Sequence, residues 1–242
     1  MLFVLLLVFS CFCLVYCNFA VNTAHPDIMK RVIAIDGPSG AGKSTISKLL
    51  AKKLGFQFLD TGALYRAIAL HLRRQGTAPG SPDPEIAGKL EGVFIQFSDG
   101  RVMLNGEDVS EAIRTTEAGH YASVFSAKKA VRDFLFQIQR DAALHHDIVA
   151  EGRDMTTVVF PDAWRKFYLD ASEEGRAKRR FLQLREKGTE ISLGEALRDV
   201  KDRDTRDSRR DIAPLRRAED AIYIDSTNLS LDEVIGVIVS HL

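Results

Sequence analysis

Residues 37–45 constrain the fold of this chain more than any other stretch. They read Gly-Pro-Ser-Gly-Ala-Gly-Lys-Ser-Thr and match the phosphate-loop pattern G-x-x-x-x-G-K-[ST]. Residues 31–36 before them predict a short buried strand, and apolar residues recur at helical spacing after them. Strand, loop and helix therefore follow in the order that a phosphate-binding loop needs, which predicts an α/β fold with a nucleotide site.

Each part of this loop has a chemical role in binding phosphate. Its glycines let backbone N–H groups turn towards phosphate oxygens, and the N-terminus of the following helix adds partial positive charge. We expect Lys43 to reach the β- and γ-phosphates of ATP and the Ser44 hydroxyl to ligate the Mg²⁺ that bridges them. The predicted ATP-binding residues are Gly37, Pro38, Ser39, Gly40, Ala41, Gly42, Lys43, Ser44 and Thr45. A glycine-rich turn with an incidental lysine is the alternative, and the matched flanks disfavour it.

The composition indicates a globular chain without a general affinity for polyanions. With 242 residues and 45% hydrophobic content, it can bury a full core as one domain with an insertion. Lys and Arg number 33 and Asp and Glu number 33, so we expect no nucleic-acid or membrane-surface partner. The three cysteines, Cys11, Cys13 and Cys17, all precede residue 18. The remaining chain therefore has no disulfide or thiolate site, which fits a cytoplasmic location.

The first 28 residues differ from the rest of the chain, and their apolar run admits three interpretations. The run is shorter than the ~20 residues that a membrane-spanning helix needs. A secretory signal is disfavoured because no Lys or Arg precedes the run, and a lipoprotein cleavage site is disfavoured by Tyr16 before Cys17. The third interpretation starts the working protein at Met29. We favour it, because an ATP-dependent enzyme has no ATP supply outside the cell, and we expect residues 1–28 to lie outside the fold.

Polar residues follow two further predicted strands at the edge where the phosphate loop lies. Residues 56–59 predict a strand that ends at Asp60 and Thr61, and Arg66 follows on the next helix. Residues 148–150 predict a central strand that ends in Glu151-Gly152-Arg153-Asp154. Because ligands bind outside the carboxyl ends of parallel strands, these groups are candidate ligands. The alternatives are a solvated charge at Arg66 and a surface Arg153–Asp154 pair.

A region between these two strands breaks the core pattern. Residues 76–88 contain three prolines and predict a linker. The dipeptides Asp99-Gly100 and Asn105-Gly106 then separate short apolar runs, which predicts a small antiparallel meander. Helical sequence that includes Arg132 leads back to the core. We therefore predict an insertion over residues 76–145, with the main sheet completed by strands near 167–169 and 221–224 and a closing helix over 231–239.

The stretch 176–217 is the most highly charged part of the chain. Residues 203, 206, 207 and 210 fall at i, i+3, i+4 and i+7, which places three arginines and one aspartate on one helical face. A solvated, salt-bridged helix is the usual explanation for such a run. Phosphoryl transfer, however, needs cations that close over the phosphates. We therefore predict a helical lid over residues 173–217.

Five long motifs follow one another along the chain. They are Asp36-Gly37-Pro38-Ser39-Gly40-Ala41-Gly42-Lys43, Leu59-Asp60-Thr61-Gly62-Ala63-Leu64-Tyr65-Arg66, Gly152-Arg153-Asp154-Met155, Val158-Val159-Phe160-Pro161 and Arg203-Asp204-x-Arg206-Asp207. With these motifs in this order, the chain resembles the bacterial cytidylate kinases, a family of phosphate-loop nucleoside monophosphate kinases. The resemblance runs from about Val32 to the C-terminal helix.

The resemblance implies transfer of the γ-phosphoryl group of ATP to CMP or dCMP, with Mg²⁺, in pyrimidine metabolism. It implies a five-stranded parallel core flanked by helices, an inserted monophosphate-binding region with β-structure, and a helical lid. The implied acceptor residues are Arg66, Arg153 and Arg210 for the phosphate, with Thr61 nearby; Ser123, Arg132 and Asp154 for cytosine; and Arg203 and Asp207 for ribose. Lys43, Arg153 and Arg210 are the expected catalytic residues, and Ser44 the expected metal ligand. We expect a monomer.

Three positions depart from the family's pattern. Ser44 stands where many relatives have Gly, and it retains a magnesium ligand. Thr156 stands where Gly is common, so the backbone of that turn could differ. Gly175 interrupts the acidic start of the lid helix and could loosen its hinge.

Two other functions compete with this interpretation. A kinase of a hydroxylated metabolite needs a carboxylate base and fewer arginines for the acceptor. A nucleotide-dependent switch of the GTPase type is disfavoured because the chain has no Asn-Lys-x-Asp signature.

Overall fold

The computed structural model describes residues 30–98, 101–186 and 188–242, and the strands in these ranges form two sheets. The strands are β1 (Val32–Asp36), β2 (Gln57–Asp60), β3 (Ile95–Ser98), β4 (Arg101–Leu104), β5 (Glu107–Asp108), β6 (Ile148–Glu151), β7 (Arg165–Asp170) and β8 (Ile222–Asp225). The larger sheet is parallel throughout, in the order β2-β6-β1-β7-β8. The smaller sheet is antiparallel, in the order β3-β4-β5. Both predicted sheets are therefore confirmed.

Helices surround the larger sheet and follow its strands along the chain. They are α1 (Lys43–Leu54), α2 (Thr61–Arg74), α3 (Asp83–Leu90), α4 (Thr116–Phe125), α5 (Lys129–His145), α6 (Glu173–Glu186), α7 (Leu193–Arg209) and α8 (Leu231–Val239). A short 3₁₀ helix spans Ala112–Arg114, and a π-helical turn spans Met155–Val159. Among the described residues, none of the helices combines the length and apolarity needed to cross a bilayer.

Strand β1 lies in the middle of the parallel sheet, and all five of its residues are buried. Val32 and Ala34 pack on the side that holds α2 and α5, whereas Ile33 and Ile35 pack on the side that holds α1 and α8. A strand with helices on both faces must be apolar on both, which explains the continuous hydrophobic run. The carboxyl end of β1 is thereby fixed rigidly beneath the phosphate loop that follows it.

Helix boundaries follow local rules that the sequence carries. Gly55 ends α1 with a φ of 70°, and its N–H donates to the Ala51 carbonyl. The Asp60 carboxylate accepts from Ala63 N–H and caps α2. Both α7 and α8 begin with a capping box, in which Ser192 or Ser230 pairs with a glutamate three residues later. The Asp60 cap lies at the carboxyl end of β2, so α2 begins directly where that strand ends.

The inserted region confirms one hairpin turn and corrects the predicted linker. Asn105 and Gly106 have φ values of 51° and 85° and join β4 to β5, as the dipeptide predicts. The prediction of a linker over residues 76–88 is wrong from Asp83 onwards, where α3 begins. Pro82 and Pro84 flank the first helical residue, where a missing N–H costs nothing, so they mark a helix start and not a break.

Some of the sequence-based predictions concern residues outside the described ranges, and others differ from the structure in detail. The leader over residues 1–28, the start at Met29 and the Asp99-Gly100 turn lie outside the described residues. Helix α4 was not predicted. The predicted helical face of residues 203, 206, 207 and 210 needs one adjustment. Helix α7 ends at Arg209, so Arg210 is the first residue after the helix. The insertion over 76–145 and the lid over 173–217 stay predictions as functional units.

Candidate active site

A cleft of about 750 Å³ opens at the carboxyl edge of the parallel sheet. Each of the five parallel strands ends at this edge in an acidic residue, and seven basic side chains are among those that line the cleft, so opposite charges meet here. The acidic residues are Asp36, Asp60, Glu151, Asp170 and Asp225. The lining includes residues 39–46 of the phosphate loop and α1, together with Thr61, Arg66, Ser123, Arg153, Asp154, Arg203, Asp207 and Arg210.

The phosphate loop fits against its neighbours only because glycine occupies two positions. Gly37 has a φ of 148°, and a Cβ there would lie 1.9 Å from the Leu169 carbonyl oxygen. Gly40 has a φ of 77°, and a Cβ would lie 2.9 Å from the Arg176 carbonyl oxygen. Gly37 and Pro38 do not line the cleft, whereas residues 39–45 do. Seven of the nine predicted ATP-binding residues therefore face the open space.

Lys43 and Ser44 begin α1 at the floor of the cleft, beside the end of β6. The Lys43 ammonium donates to the Pro38 carbonyl at 2.7 Å. Burial, reinforced by Arg153, lowers the pKa of Lys43 to about 7, against the opposing effect of Glu151. The Ser44 hydroxyl donates to the Glu151 carboxylate. A hydroxyl and a carboxylate thus lie together beside the lysine, which is an oxygen donor set suited to a hard divalent cation.

Glu151 is a functional candidate that the predicted site residues omit. Its side chain is buried, and burial together with the nearby Asp60 raises its pKa, whereas Lys43 opposes this shift. Its backbone carbonyl also accepts from the Thr61 hydroxyl at 2.6 Å. The signal for Glu151 was its place at a strand end, which the sequence analysis noted without assigning the residue a role.

Asp60 organises the second group of basic residues in the cleft. It accepts from Ala63 N–H at 2.8 Å and lies 3.4 Å from the Arg66 guanidinium and 3.1 Å from that of Arg114. Burial lowers the pKa of Arg66, and its Nε has no hydrogen-bond partner among the described residues. The predicted Arg66 is therefore a cleft residue with hydrogen-bonding capacity to spare, and not a solvated charge.

Asp154 is buried between two guanidiniums. Arg132 donates to one of its carboxylate oxygens and also to the Ser126 carbonyl at 3.2 Å. Arg210 lies 3.5 Å from the other oxygen. Burial raises the pKa of Asp154, and both arginines counter this shift. Arg132 does not itself line the cleft, although it contacts a carboxylate that does.

Asp207 joins residues from three elements on the other side of this pocket. Its carboxylate accepts from Arg153 Nε at 2.8 Å and from the Ser123 hydroxyl at 3.3 Å, and Arg203 Nε lies 4.0 Å away. Burial alone would raise the pKa of Asp207, but the two arginines hold that pKa below its usual value. Arg206 Nε donates to Ser123 at 3.3 Å. The charged face of α7 is therefore docked into the cleft, and a freely solvated helix is excluded.

The turn after α7 sets the direction of Arg210. Arg210 Nε donates to the Ala213 carbonyl at 2.6 Å, and Leu215 N–H donates to the Asp207 carbonyl at 2.8 Å. Ala213 has a φ of 48°, a left-handed conformation that costs on the order of 1 kcal/mol for a residue with a Cβ. Strain of this kind is typical of backbone that holds a functional side chain.

Asp36 connects the start of the phosphate loop to the segment that carries Arg153 and Asp154. Its buried carboxylate accepts from Met155 N–H at 2.9 Å, Thr156 N–H at 2.7 Å and the Thr156 hydroxyl at 2.6 Å. Burial raises the pKa of Asp36 to about 6, against the effect of these hydrogen bonds. Thr156 has no positive φ, so its departure from the family's pattern adds a hydrogen bond and leaves the turn unstrained.

The opposite end of the cleft lies between α6 and the start of α8. Arg179 donates to the Ser226 hydroxyl at 3.0 Å and to the Ala41 carbonyl at 3.3 Å, and Leu182, Leu229 and Val234 supply apolar surface. Gly175 lies in the first turn of α6, where its N–H donates to the Ser172 hydroxyl at 3.1 Å. An apolar recess beside the phosphate loop is the setting that a donor base requires.

Comparison with known proteins identifies a family over nearly all of the described chain. A family model described as cytidylate kinase matches residues 33–242. Cytidylate kinase from Thermodesulfovibrio yellowstonii is 56% identical over 218 residues, which cover 88% of this chain and 98% of that protein. Cytidylate kinase from Thermosipho melanesiensis is 51% identical and covers 84% of this chain and 92% of its own length. The enzyme of the same name from Geobacter sulfurreducens is 52% identical, with 84% and 89% covered.

Proposed function

The chain belongs to the cytidylate kinase family and is a nucleoside monophosphate kinase, and from this premise we propose that it transfers the γ-phosphoryl group of ATP to CMP or dCMP. The products are ADP and CDP or dCDP, and the reaction depends on Mg²⁺. The observation that carries this proposal is one continuous cleft that joins the phosphate loop to the guanidiniums around Asp154 and Asp207. A cytoplasmic role in pyrimidine nucleotide metabolism belongs to the same proposal.

On the donor side, backbone N–H groups of the phosphate loop and the Lys43 ammonium bind the phosphates of ATP. Ser44 and Glu151 would hold Mg²⁺, since their paired oxygens match its preference for hydroxyl and carboxylate ligands. When bound, the ion supplies positive charge to the β- and γ-phosphates. Arg179 and the apolar recess between α6 and α8 then bind the part of ATP that lies beyond its phosphates.

On the acceptor side, Arg66, Arg153 and Arg210 bind the phosphate of CMP, with the Thr61 hydroxyl beside them. The spare Nε donor of Arg66 supports this role, because a buried guanidinium without a full set of partners favours an anion. Arg203 and Asp207 meet the ribose. Ser123, Arg132 and Asp154 read the cytosine.

The cytosine edge suits a carboxylate and a guanidinium together. Cytosine presents an N4 amino donor beside an N3 acceptor, and uracil reverses both. Asp154 accepts from the amino group, while a guanidinium donates to N3 or O2. The contact between Arg132 and Asp154 keeps that pair in place before a base enters.

The chemical step needs charge neutralisation more than proton transfer. A CMP phosphate oxygen attacks the γ-phosphorus, the bond from that phosphorus to the β,γ-bridging oxygen breaks, and ADP leaves with the electron pair. The attacking oxygen is already ionised, so no side chain acts as a strong base. Lys43, Arg153 and Arg210 stabilise the charge on the transferring group, and the acceptor arginines hold the nucleophile in line.

The test is a coupled assay of ADP formation by the full chain with ATP, Mg²⁺ and one acceptor at a time. CMP and dCMP should support turnover, UMP should be a weaker acceptor, and AMP and shikimate should give only background. Turnover with shikimate but not with CMP would contradict the proposal and support a kinase of hydroxylated metabolites.

A further inference from the structure

Ser39 in the phosphate loop is held on both sides of its peptide backbone by the two helices of the predicted lid. Its N–H donates to Asp204 of α7 at 2.9 Å, and its carbonyl accepts from Arg176 of α6 at 3.1 Å. Arg176 also donates to the second oxygen of Asp204. A closed set of contacts therefore joins the two helices to one residue of the donor site.

This junction is largely buried and charge-balanced. The Arg176 side chain is 7% exposed and that of Asp204 is 21% exposed. Arg176 is anchored independently of Asp204, because its Nε donates to the Ala171 carbonyl at 2.9 Å, just beyond the end of β7. The backbone of Gly40 also approaches Arg176 too closely for any side chain at that position. Loop and helices are therefore fixed to each other.

Asp204 lies on α7 among the residues that enter the acceptor pocket. Arg203 and Asp207 are its neighbours at i−1 and i+3, and Asp207 binds Arg153. Successive helical residues point about 100° apart, since the helix has 3.6 residues per turn. One helix thus presents Asp204 to the phosphate loop and Arg203 and Asp207 to the acceptor.

We propose that Asp204 is a positioning residue that, together with Arg176, holds the phosphate loop and the acceptor-facing side of α7 as one unit. The inference rests on the proposed function, because it concerns how the donor and acceptor sites of that reaction are aligned. Donor binding then favours the loop geometry in which α7 presents Arg203 and Asp207 to CMP. Each nucleotide accordingly tightens the binding of the other, and by equal factors.

Arg176 also neutralises the charge of the Asp204 carboxylate. The Asp204 carboxylate lies against a loop that receives polyphosphate, so without its partner it would repel the donor. Removing one member of a buried ion pair costs more than removing both. Arg176→Met should therefore weaken donor binding more than Asp204→Ala does, and the double variant should recover towards Asp204→Ala.

The experiment measures binding of a non-hydrolysable ATP analogue and of CMP by calorimetry, each alone and in the presence of the other. In the wild-type chain, we expect each nucleotide to improve the affinity for the other by at least about fivefold. In Asp204→Ala, we expect the analogue to bind roughly tenfold more weakly and the coupling factor to fall towards one. Asp204→Asn retains the shape of the side chain and can still accept from Ser39 N–H. Its analogue affinity and coupling factor should therefore lie between those of the wild type and those of Asp204→Ala. This variant also keeps the test informative if Asp204→Ala does not fold.

Lys201→Gln is the matched control. Lys201 lies on α7 three residues before Asp204 and pairs with Glu173 of α6 at 3.0 Å, but neither residue lines the cleft. This control should keep both affinities and the coupling. Three results would each overturn the role of Asp204. The first is an equal loss of affinity in Lys201→Gln and Asp204→Ala, and the second is an unchanged coupling factor in Asp204→Ala. The third is a double variant that binds the analogue more weakly than Arg176→Met does. Failure of the wild type to use CMP would instead contradict the proposed function, and the binding measurements on the variants would still test the junction.

Discussion

The donor and acceptor ends of the cleft are built in different ways. The end proposed for the donor is formed by one continuous motif, residues 39–45, whose loop backbone lies against the cleft together with Lys43 and Ser44. The acceptor end consists of charged side chains from elements far apart in sequence, such as Arg66 on α2, Asp154 after β6 and Arg210 after α7. A backbone site is specified by local conformation, whereas a side-chain site exists only when the whole fold is complete.

The two ends also differ in what their charged side chains contact. Lys43 contacts a backbone group of its own loop, the Pro38 carbonyl. By contrast, Asp154 and Asp207 already contact the arginines predicted to surround CMP. The pocket proposed for the acceptor is therefore held together by its own ion pairs, and the following substitutions test this difference.

The largest expected effect comes from the donor end. Lys43→Met should lower kcat by about 10²- to 10³-fold, because one preorganised cation that stabilises the transferring group is lost. Binding of CMP should change little, since the lysine serves the donor phosphates. Turnover and CMP calorimetry on the same preparation check this, and an equal loss of CMP affinity would show that Lys43 also serves the acceptor.

The second test concerns the acceptor arginines on α7 and the turn after it. Arg203→Ala and Arg210→Ala should each lower kcat/KM for CMP by about 10- to 100-fold, because each removes a charge-assisted contact. The double variant should lose less than the product of the two, since both residues serve one network. Near wild-type rates in both single variants would show that these two arginines take no part in binding or turning over CMP.

The third test addresses the choice of base. Asp154→Asn can donate to the O4 of uracil, so it should lower kcat/KM for CMP and reduce the CMP to UMP preference by about tenfold. Parallel kinetics with the two acceptors measure the ratio. Equal proportional losses for both would mean that Asp154 supports Arg132 and Arg210 structurally and does not read the base.

The smallest expected effect concerns the link between the two ends through Asp36. Thr156→Val removes one of three hydrogen bonds to the Asp36 carboxylate at nearly constant volume, which should cost about 1 kcal/mol in unfolding free energy. We also expect KM for CMP to rise severalfold while KM for ATP stays constant, because Arg153 and Asp154 precede this contact. Thr156→Ser restores the hydroxyl and should restore both quantities; failure of that rescue would assign the effect to packing.

The contrast between the two ends explains what the sequence could predict. The phosphate loop between β1 and α1 and the Asn105-Gly106 turn depend on local backbone rules, and both were predicted correctly. The five parallel strands followed from apolar runs between helical segments. Helix α3 was missed because prolines were interpreted as breaks. Helix α4 was missed because several small residues within it weaken the helical pattern of apolar residues.

Residues that act through distant partners were beyond such rules. Arg132 and Asp154 are 22 positions apart, and Ser39 and Asp204 are 165 apart, so their contacts depend on the packing of whole elements. Resemblance to a known family supplied the acceptor residues, but it assigned no role to Glu151, Asp36 or Asp204. Their roles follow from hydrogen bonds that only the folded chain reveals.

The central claim is that ion pairs among its own residues organise the acceptor pocket for cytidine monophosphate, without help from ATP. Calorimetric titration of CMP and of UMP into the nucleotide-free protein tests it most directly. The account predicts that CMP binds without any donor and at least about tenfold more tightly than UMP, because uracil would place an acceptor against Asp154. No detectable CMP binding in the absence of ATP, or equal affinities for CMP and UMP, would contradict it.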